Sequence, residues 1–291
     1  MKAENSKQKE DGHLISRRRF LRYVGFTGVA ALLGGAATIA QSYRFEVNRY
    51  QRRLPNLKAP LRIAHLSDLH YNIFTGERNL KSWVDATLAE APDLVLITGD
   101  FIDHETPGSL EPLVRQLGRL QPPLGVYGVW GNHDYDQGMA RRDELNAAFQ
   151  NVGIRILVNE GVDVRDDLFI TGVDDLWKGE HKLWKALENR PRDRVCIFMC
   201  HIPDILPGIS EYGFSADLTL CGHNHGGQVK LPFVGAVFVP SKYGKRFLEG
   251  WFTEPTLAFV SRGLGFGIPL RVGSTSEVVI IDLQPGVRSK E

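Results

Sequence analysis

Residues 94–103 read LVLITGDFID, an apolar run that leads directly into a glycine and an aspartate. The run at residues 94–98 is typical of a buried strand, and Gly99 permits the tight turn that must follow it. Asp100 therefore stands just beyond a predicted strand end. Because ligands of open α/β sheets bind beyond the carboxyl ends of the strands, this stretch predicts a site at one edge of a sheet.

Four other stretches of the chain repeat this pattern. In each, an apolar run predicted to be a buried strand leads into metal-competent side chains; the stretches are 61–70 (LRIAHLSDLH), 126–134 (VYGVWGNHD), 195–201 (VCIFMCH) and 218–225 (LTLCGHNH). Between them, apolar residues recur at the spacing of amphipathic helices, at residues 80–88, 110–120 and 145–152. Short strands that alternate with helices predict an α/β fold.

The five predicted strand ends carry a set of oxygen and nitrogen donors. The predicted metal ligands are Asp68, His70, Asp100, Asn132, His201, His223 and His225. One zinc site needs three or four ligands, so this number of donors predicts two metal ions that share a carboxylate and lie about 3.5–4 Å apart. Imidazole and oxygen donors without thiolate favour Mn, Fe or Zn.

Each cluster taken alone also has a structural interpretation. A lone Asp-x-His pair, such as Asp68 and His70, is more often a surface turn, and a lone histidine such as His201 is more often a hydrogen-bonded core residue. However, five of the nine histidines stand at predicted strand ends. The structural interpretation does not explain this joint placement.

The order Asp-x-His, Gly-Asp-x-x-Asp, Gly-Asn-His-Asp, His and Gly-His-x-His resembles the calcineurin-like metallophosphoesterases. The resemblance implies a two-sheet β-sandwich flanked by helices and a catalytic domain at residues 61–291. It implies that one metal ion is bound by Asp68, His70, Asp100 and His225. It implies that the second ion shares Asp100 and is completed by Asn132, His201 and His223.

The same resemblance gives His133 a catalytic role instead of a ligand role. His133 would face the leaving-group oxygen as a general acid or an electrostatic clamp, and Asp103 would hold its ring. A turn-capping role for Asp103 remains an alternative, and the role of Asp134 is open. The two ions would convert a bridging water to hydroxide, which attacks phosphorus in line.

The charge of the chain is concentrated at its amino terminus. Residues 1–60 hold 12 Lys and Arg against 4 Asp and Glu, which leaves a net charge of −7 on residues 61–291. A net acidic body is not an electrostatic partner for nucleic acid. The three cysteines, Cys196, Cys200 and Cys221, do not form a disulfide framework by number or spacing.

Residues 16–22 read SRRRFLR and precede a stretch without charge from Tyr23 to Ala40. They resemble the twin-arginine export signal, with Arg22 in place of its usual lysine. We therefore expect residues 1–40 to be a twin-arginine signal or an anchor that brings the protein to the periplasm or cell envelope through the export machinery. A basic patch before a short anchor helix is an alternative. Residues 41–60 are predicted to be a basic linker, either solvated or in contact with an anionic membrane surface.

The residues around the predicted site also bear on the substrate. Asp103 is followed by His104 and Glu105, where the protein phosphatases of the family carry Arg-Gly, and this departure disfavours a protein phosphatase. The stretch GHNHGGQ at residues 222–228 resembles exported or membrane-associated phosphodiesterases. We expect an envelope phosphodiesterase that acts on a phosphoester. A lipid-linked phosphoester is one substrate of this kind. The alternatives are a UDP-2,3-diacylglucosamine pyrophosphatase of lipid A synthesis and, more distantly, a non-enzymatic metal-binding envelope protein.

Overall fold

The computed structural model describes residues 35–36, 38–211 and 216–286. Most of the predicted export signal, at residues 1–34 and 37, lies outside the described residues. Residues 38–42 are helical and precede the first strand. Within the described part of the chain, none of the helices has the length and apolar character needed to cross a membrane.

The described residues form strands and helices in the following order: β1 (Phe45–Leu54), β2 (Leu61–Leu66), α1 (Glu77–Ala89), β3 (Leu94–Thr98), α2 (Glu111–Leu117), β4 (Val126–Val129), α3 (Met139–Asn151), β5 (Ile154–Ile156), β6 (Glu160–Arg165), β7 (Leu168–Gly172), α4 (Leu183–Ala186), β8 (Val195–Met199), α5 (Leu206–Glu211), β9 (Leu218–Cys221), β10 (Lys230–Leu231), β11 (Gly235–Ala236), β12 (Gly250–Phe252), β13 (Ala258–Val260) and β14 (Ser276–Pro285). Short 3₁₀ turns lie at His133–Tyr135, Pro203–Ile205 and His225–Gly227.

Two six-stranded sheets carry the fold. Their strand orders are β1-β14-β2-β3-β4-β5 and β12-β13-β9-β8-β7-β6, and β10 with β11 forms a separate hairpin. In the first sheet β2 to β5 run parallel, and in the second β7, β8, β9 and β13 run parallel. The carboxyl ends of the parallel strands of each sheet therefore meet at one edge of that sheet, as the sequence predicts for the residues that follow them.

The sheets pack face to face, and helices cover their outer faces. Ile63, Leu96 and Leu220 belong to the apolar core between the sheets. A second core lies between the first sheet and helices α1 to α3, and a third lies between the second sheet and helices α4 and α5. Strand β3 is buried along its whole length, because a parallel strand inside such a stack is covered on both faces. The predicted two-sheet sandwich flanked by helices is confirmed.

The predicted linker at residues 41–60 is wrong for its central part, because residues 45–54 form β1. This strand pairs in parallel with β14 along all ten of its residues. Phe45 and Val47 pack on the helix side of the sheet, whereas Tyr50 and Leu54 pack between the sheets. Arginines are tolerated in this strand because an edge strand exposes one side to solvent. The folded domain therefore begins before residue 61.

Candidate active site and metal centre

All seven predicted ligands follow strands whose carboxyl ends meet where the two sheets adjoin. Two backbone hydrogen bonds connect the loops: the Asp68 N–H donates to the Gly99 carbonyl at 3.0 Å, and the Gly222 N–H donates to the His201 carbonyl at 2.9 Å. The first bond joins loops after neighbouring strands of one sheet, and the second does so in the other sheet. Between the sheets, the His223 N–H donates to Asp68 Oδ1 at 3.0 Å, so the loops of both sheets are held as one rim.

Five of the predicted ligands have left-handed backbone conformations. The φ angles are 53° at Asp68, 43° at His70, 53° at Asp100, 71° at His223 and 49° at His225. This region is unfavourable for residues with a Cβ, and such strain persists where the surrounding structure imposes it, most often at functional sites. The fold therefore accepts a conformational cost in order to aim these side chains inward.

The first group of donors consists of Asp68, His70 and His225, whose ligand atoms lie within 4.8 Å of one another. Nε2 of His70 lies 3.0 Å from Nε2 of His225, which in turn lies 3.5 Å from Oδ1 of Asp68. His70 Nδ1 is bonded to Asp103 Oδ2 at 3.1 Å. Because a carboxylate receives the Nδ1 proton, the Nε2 lone pair of His70 is directed at the centre of the group.

The second group consists of Asp100, His201 and His223. Nδ1 of His201 donates to the Thr98 carbonyl at 2.7 Å, and Nε2 of His223 donates to the Pro240 carbonyl at 2.9 Å. These bonds leave Nε2 of His201 and Nδ1 of His223 facing each other at 3.2 Å. Two lone pairs directed at the same point are the arrangement a cation requires.

Asp100, a member of the second group, also faces the first group. Its Oδ2 is 3.5 Å from Nε2 of His70 in the first group and 3.1 Å from Nε2 of His201 in the second. Burial opposes ionisation of Asp100, but the neighbouring His201, His133 and His70 lower its pKa well below the usual range. Asp100 is therefore an anionic side chain in position to be shared by two ions.

The types of donor atom, and one buried oxygen that lacks a hydrogen bond among the described residues, fit two divalent ions. Oδ1 of Asn132 is buried and has no hydrogen-bond partner in the described part of the chain. The next residue, His133, donates its N–H to Asp100 Oδ1 at 2.8 Å. This bond holds the loop that carries Asn132 against Asp100. A buried acceptor without a donor is costly unless a cation completes it. The donors are imidazole, carboxylate and amide oxygen, which suits Mn, Fe or Zn.

His133 lies at the outer side of the two groups and is only partly buried. Its Nδ1 is 2.7 Å from Asp136 Oδ2 and 3.4 Å from Asp103 Oδ1. Burial lowers the pKa of His133, but the hydrogen bond to Asp103 and the charges of Asp100 and Asp136 outweigh it and raise the pKa to about 9. A protonated imidazole at this position can give a proton to a departing oxygen.

The structure places the predicted partner Asp103 beside His133 and adds a second carboxylate, Asp136. Asp136 is its closer carboxylate partner, and Asp103 is divided between His133 and His70. Asp136 was not among the predicted site residues. The signal that could have identified it is local, since His133 opens a 3₁₀ turn and a residue three positions later returns to the same side.

Asp134, whose role the sequence left open, is buried and supports the loops. Its carboxylate accepts backbone N–H groups of Asp100 at 3.0 Å, Ile102 at 3.1 Å and Gly131 at 2.8 Å. Burial, with a further contribution from the charge of Asp100, raises the pKa of Asp134 to about 8. Asp134 is therefore a positioning residue that ties the loop after β3 to the loop after β4.

We expect Asp134→Ala to lower the free energy of unfolding by about 3 kcal/mol or more, because it leaves three buried N–H groups without an acceptor. Urea unfolding midpoints measure this change. Asp143→Ala is the matched control, since Asp143 is exposed on α3 and its loss should change stability by about 0.5 kcal/mol or less. Equal midpoints for the two variants would contradict the positioning role.

Gly131 and Gly222 are required by space. A Cβ at Gly222 would lie 1.8 Å from Oγ of Ser67, and one at Gly131 would lie 2.2 Å from Oδ1 of Asp100. Gly99 differs, because its φ of 80° requires glycine for conformation as well. The glycines that end these strands therefore allow the ligand loops to approach one another closely.

Two further residues contact predicted ligands, and no sequence signal identifies either of them. Arg271 is buried, and its Nη2 lies 2.8 Å from Nδ1 of His225. The Trp177 ring meets the His223 ring edge-on at 4.4 Å and is half-exposed. Both residues lie in loops that are distant in sequence from the histidines they contact, and no motif surrounds either of them.

A family model described as calcineurin-like phosphoesterase matches residues 61–227, which is more than half of the chain. The chain is 30% identical to the "Phosphodiesterase YaeI" of Escherichia coli over 93% of this chain and 100% of that protein. It is also 30% identical to the "Uncharacterized metallophosphoesterase YkuE" of Bacillus subtilis, over 93% of this chain and 98% of the relative. These similarities cover the strands and loops that hold the site described above.

Proposed function

The chain belongs to the calcineurin-like phosphoesterase family, and on that premise we propose that it is a two-metal phosphodiesterase of the cell envelope. It is a hydrolase that acts on phosphoester bonds. The observation that carries the two-metal proposal is the position of Asp100, whose Oδ2 faces one histidine of each donor group at 3.5 and 3.1 Å.

We assign the ions to the residues that the geometry brings together. Asp68, His70 and His225 would hold one ion, and His201, His223 and Asn132 would hold the other. Asp100 would serve both ions. When bound, two divalent ions activate water and neutralise phosphoryl oxygens. The ions that the donor set favours are Mn, Fe and Zn.

His133 supplies the proton in this proposal. Its Nδ1 is bonded to carboxylates, so the ring is oriented and its Nε2 is the atom free to donate. Asp103 and Asp136 stabilise the charged ring, which keeps it protonated near neutral pH. A leaving alkoxide or aryloxide would take this proton as its bond to phosphorus breaks.

Two observations support a diester in preference to a monoester. The relative that is matched over its full length is named a phosphodiesterase. The residues after Asp103 are His104 and Glu105, so no arginine stands there to neutralise the additional charge of a phosphomonoester.

A lipid-linked phosphoester such as UDP-2,3-diacylglucosamine is the second candidate. It is favoured by a cavity of about 360 Å³ beside the first metal group. His225, Val229, Val237 and Phe238 are among the residues that line this cavity, which would accommodate an apolar substituent next to the reacting phosphate.

The test compares bis(4-nitrophenyl) phosphate with 4-nitrophenyl phosphate, using protein stripped with chelator and reloaded separately with Mn²⁺, Fe²⁺ or Zn²⁺. We expect hydrolysis only after reloading, a kcat/KM at least about tenfold higher for the diester, and roughly two ions per chain by metal analysis. A preference for the monoester would overturn the diesterase assignment. Full loading without turnover of either ester would instead favour a metal-binding role.

We further propose that residues 1–40 direct export by the twin-arginine route. Arg17→Lys combined with Arg18→Lys is expected to retain folded, metal-loaded protein in the cytoplasm. Lysine keeps the charge but lacks the planar, forked guanidinium that a receptor would read. Cell fractionation measures the distribution. Normal arrival of the double variant at the envelope would contradict the signal and favour a basic patch with an anchor.

A further inference from the structure

An apolar patch lies exposed beside the site. It is formed by the β10–β11 hairpin, the residues after it and a neighbouring loop; we call it the hairpin surface, and its members are Leu231, Phe233, Val234, Val237, Phe238, Ile268 and Leu270. The two segments are held together, because the Lys230 N–H donates to the Val272 carbonyl at 2.7 Å and the Val272 N–H donates to the Gln228 carbonyl at 2.9 Å. A contiguous exposed apolar patch of this kind usually marks an interaction site.

Phe233 lies at the tip of the hairpin and does not pack into the core of the described fold. Its exposed fraction is 110%, and its φ is 64°. Glycine, asparagine or aspartate would be favoured at a turn position with positive φ. The chain therefore places an aromatic ring in full solvent at a position where the backbone disfavours it, which indicates a role outside the folded domain.

The amino-terminal segment joins the fold at this same place. The Arg271 N–H donates to Oγ of Ser42 at 2.8 Å, and the Tyr43 ring packs edge-on against Phe266 at 5.2 Å. Ile268 and Leu270 of the hairpin surface lie between these two contacts in sequence. The uncharged stretch from Tyr23 to Ala40 therefore connects to the domain beside the hairpin surface.

Positive charge adjoins the apolar patch. Lys242, Lys245 and Arg246 are exposed, and Nζ of Lys245 donates to the Val234 carbonyl at 3.0 Å. In the described part of the chain, no acidic side chain forms an ion pair with these three residues. Apolar side chains bordered by cations are suited to an anionic bilayer interface, whereas a second copy would bring like charges together.

We propose that the hairpin surface docks on an anionic lipid bilayer, with Phe233 inserted at the boundary between headgroups and acyl chains. Val237 and Phe238 belong to this surface and also line the cavity beside His225. Docking therefore places the opening of that cavity at the lipid headgroups. The docking depends on the hairpin surface and the cations beside it, and it is independent of which phosphoester is cleaved.

The test uses the full-length, metal-loaded chain with Phe233→Cys carrying an environment-sensitive fluorophore. The three native cysteines are buried, so labelling is confined to the new thiol. Leu88→Cys is the matched control, because Leu88 is exposed at the end of α1, near the amino end of β3 and away from the site. The probe is vesicles of phosphatidylethanolamine and phosphatidylglycerol, with and without quencher on the acyl chains.

We expect the emission at position 233 to shift to the blue with vesicles and to be quenched by acyl-chain quenchers, while the label at position 88 does not respond. Lys245→Gln with Arg246→Gln should raise the lipid concentration for half-maximal shift by about tenfold. Vesicle binding with the label at position 233 still in water would overturn the proposal. A shifted emission before vesicles are added would also overturn it, since the surface would then be covered by the chain itself or by a second copy, which sedimentation distinguishes.

Discussion

Asp100→Asn is expected to lower diester turnover by more than about 10³-fold, because removing a single electrostatic donor from an active site already costs about 10²- to 10³-fold. The substitution keeps the size of the side chain and removes the charge that faces both donor groups. Asp100 is buried, and its Oδ2 lies within 3.5 Å of a histidine of each group. The loss should therefore affect both ions at once.

Metal analysis separates this explanation from simple misfolding. The wild-type chain should hold roughly two ions and the variant about one or fewer, since each group loses its shared carboxylate. Asp143→Asn makes the same chemical change on the exposed face of α3 and should leave loading and turnover unchanged. Full loading of Asp100→Asn together with near-normal turnover would remove the basis for a shared site.

The features predicted correctly are those for which burial leaves a clear pattern in the sequence. Strands of parallel sheets are covered on both faces, so β3 and β8 appear as unbroken apolar runs. Their ends are marked by an abrupt change to polar residues. Since the topology of such sheets gathers these ends, the seven predicted ligands could be placed near one another from the sequence alone.

The features that were missed depend on contacts that leave no clear pattern in the sequence. In β1 the arginines dominate the composition and obscure the alternation that packs Val47 on one face and Leu54 on the other. Arg271 contacts His225 across 46 residues, and no local pattern encodes a contact of that separation. The division of Asp103 between two histidines is likewise a property of packed loops.

His133→Ala is expected to keep both ions and to lose rate according to the leaving group. For a diester with a poor alkoxide leaving group we expect a loss of about 10²- to 10⁴-fold, the usual contribution of general acid catalysis. For bis(4-nitrophenyl) phosphate the loss should be much smaller, since nitrophenolate departs without a proton. Parallel kcat/KM measurements on the two esters, with metal content, test this division.

The pH profile provides a second readout for the same residue. The carboxylates of Asp103 and Asp136 raise the pKa of His133, so the acid form is present at neutral pH and is lost as pH rises through that pKa. Asp136→Asn removes one of these charges and should move the alkaline limb of kcat/KM to lower pH while metal content stays constant. An unmoved limb, or an equal loss on both esters in His133→Ala, would show that His133 acts as a clamp on the phosphoryl group and not as the proton donor.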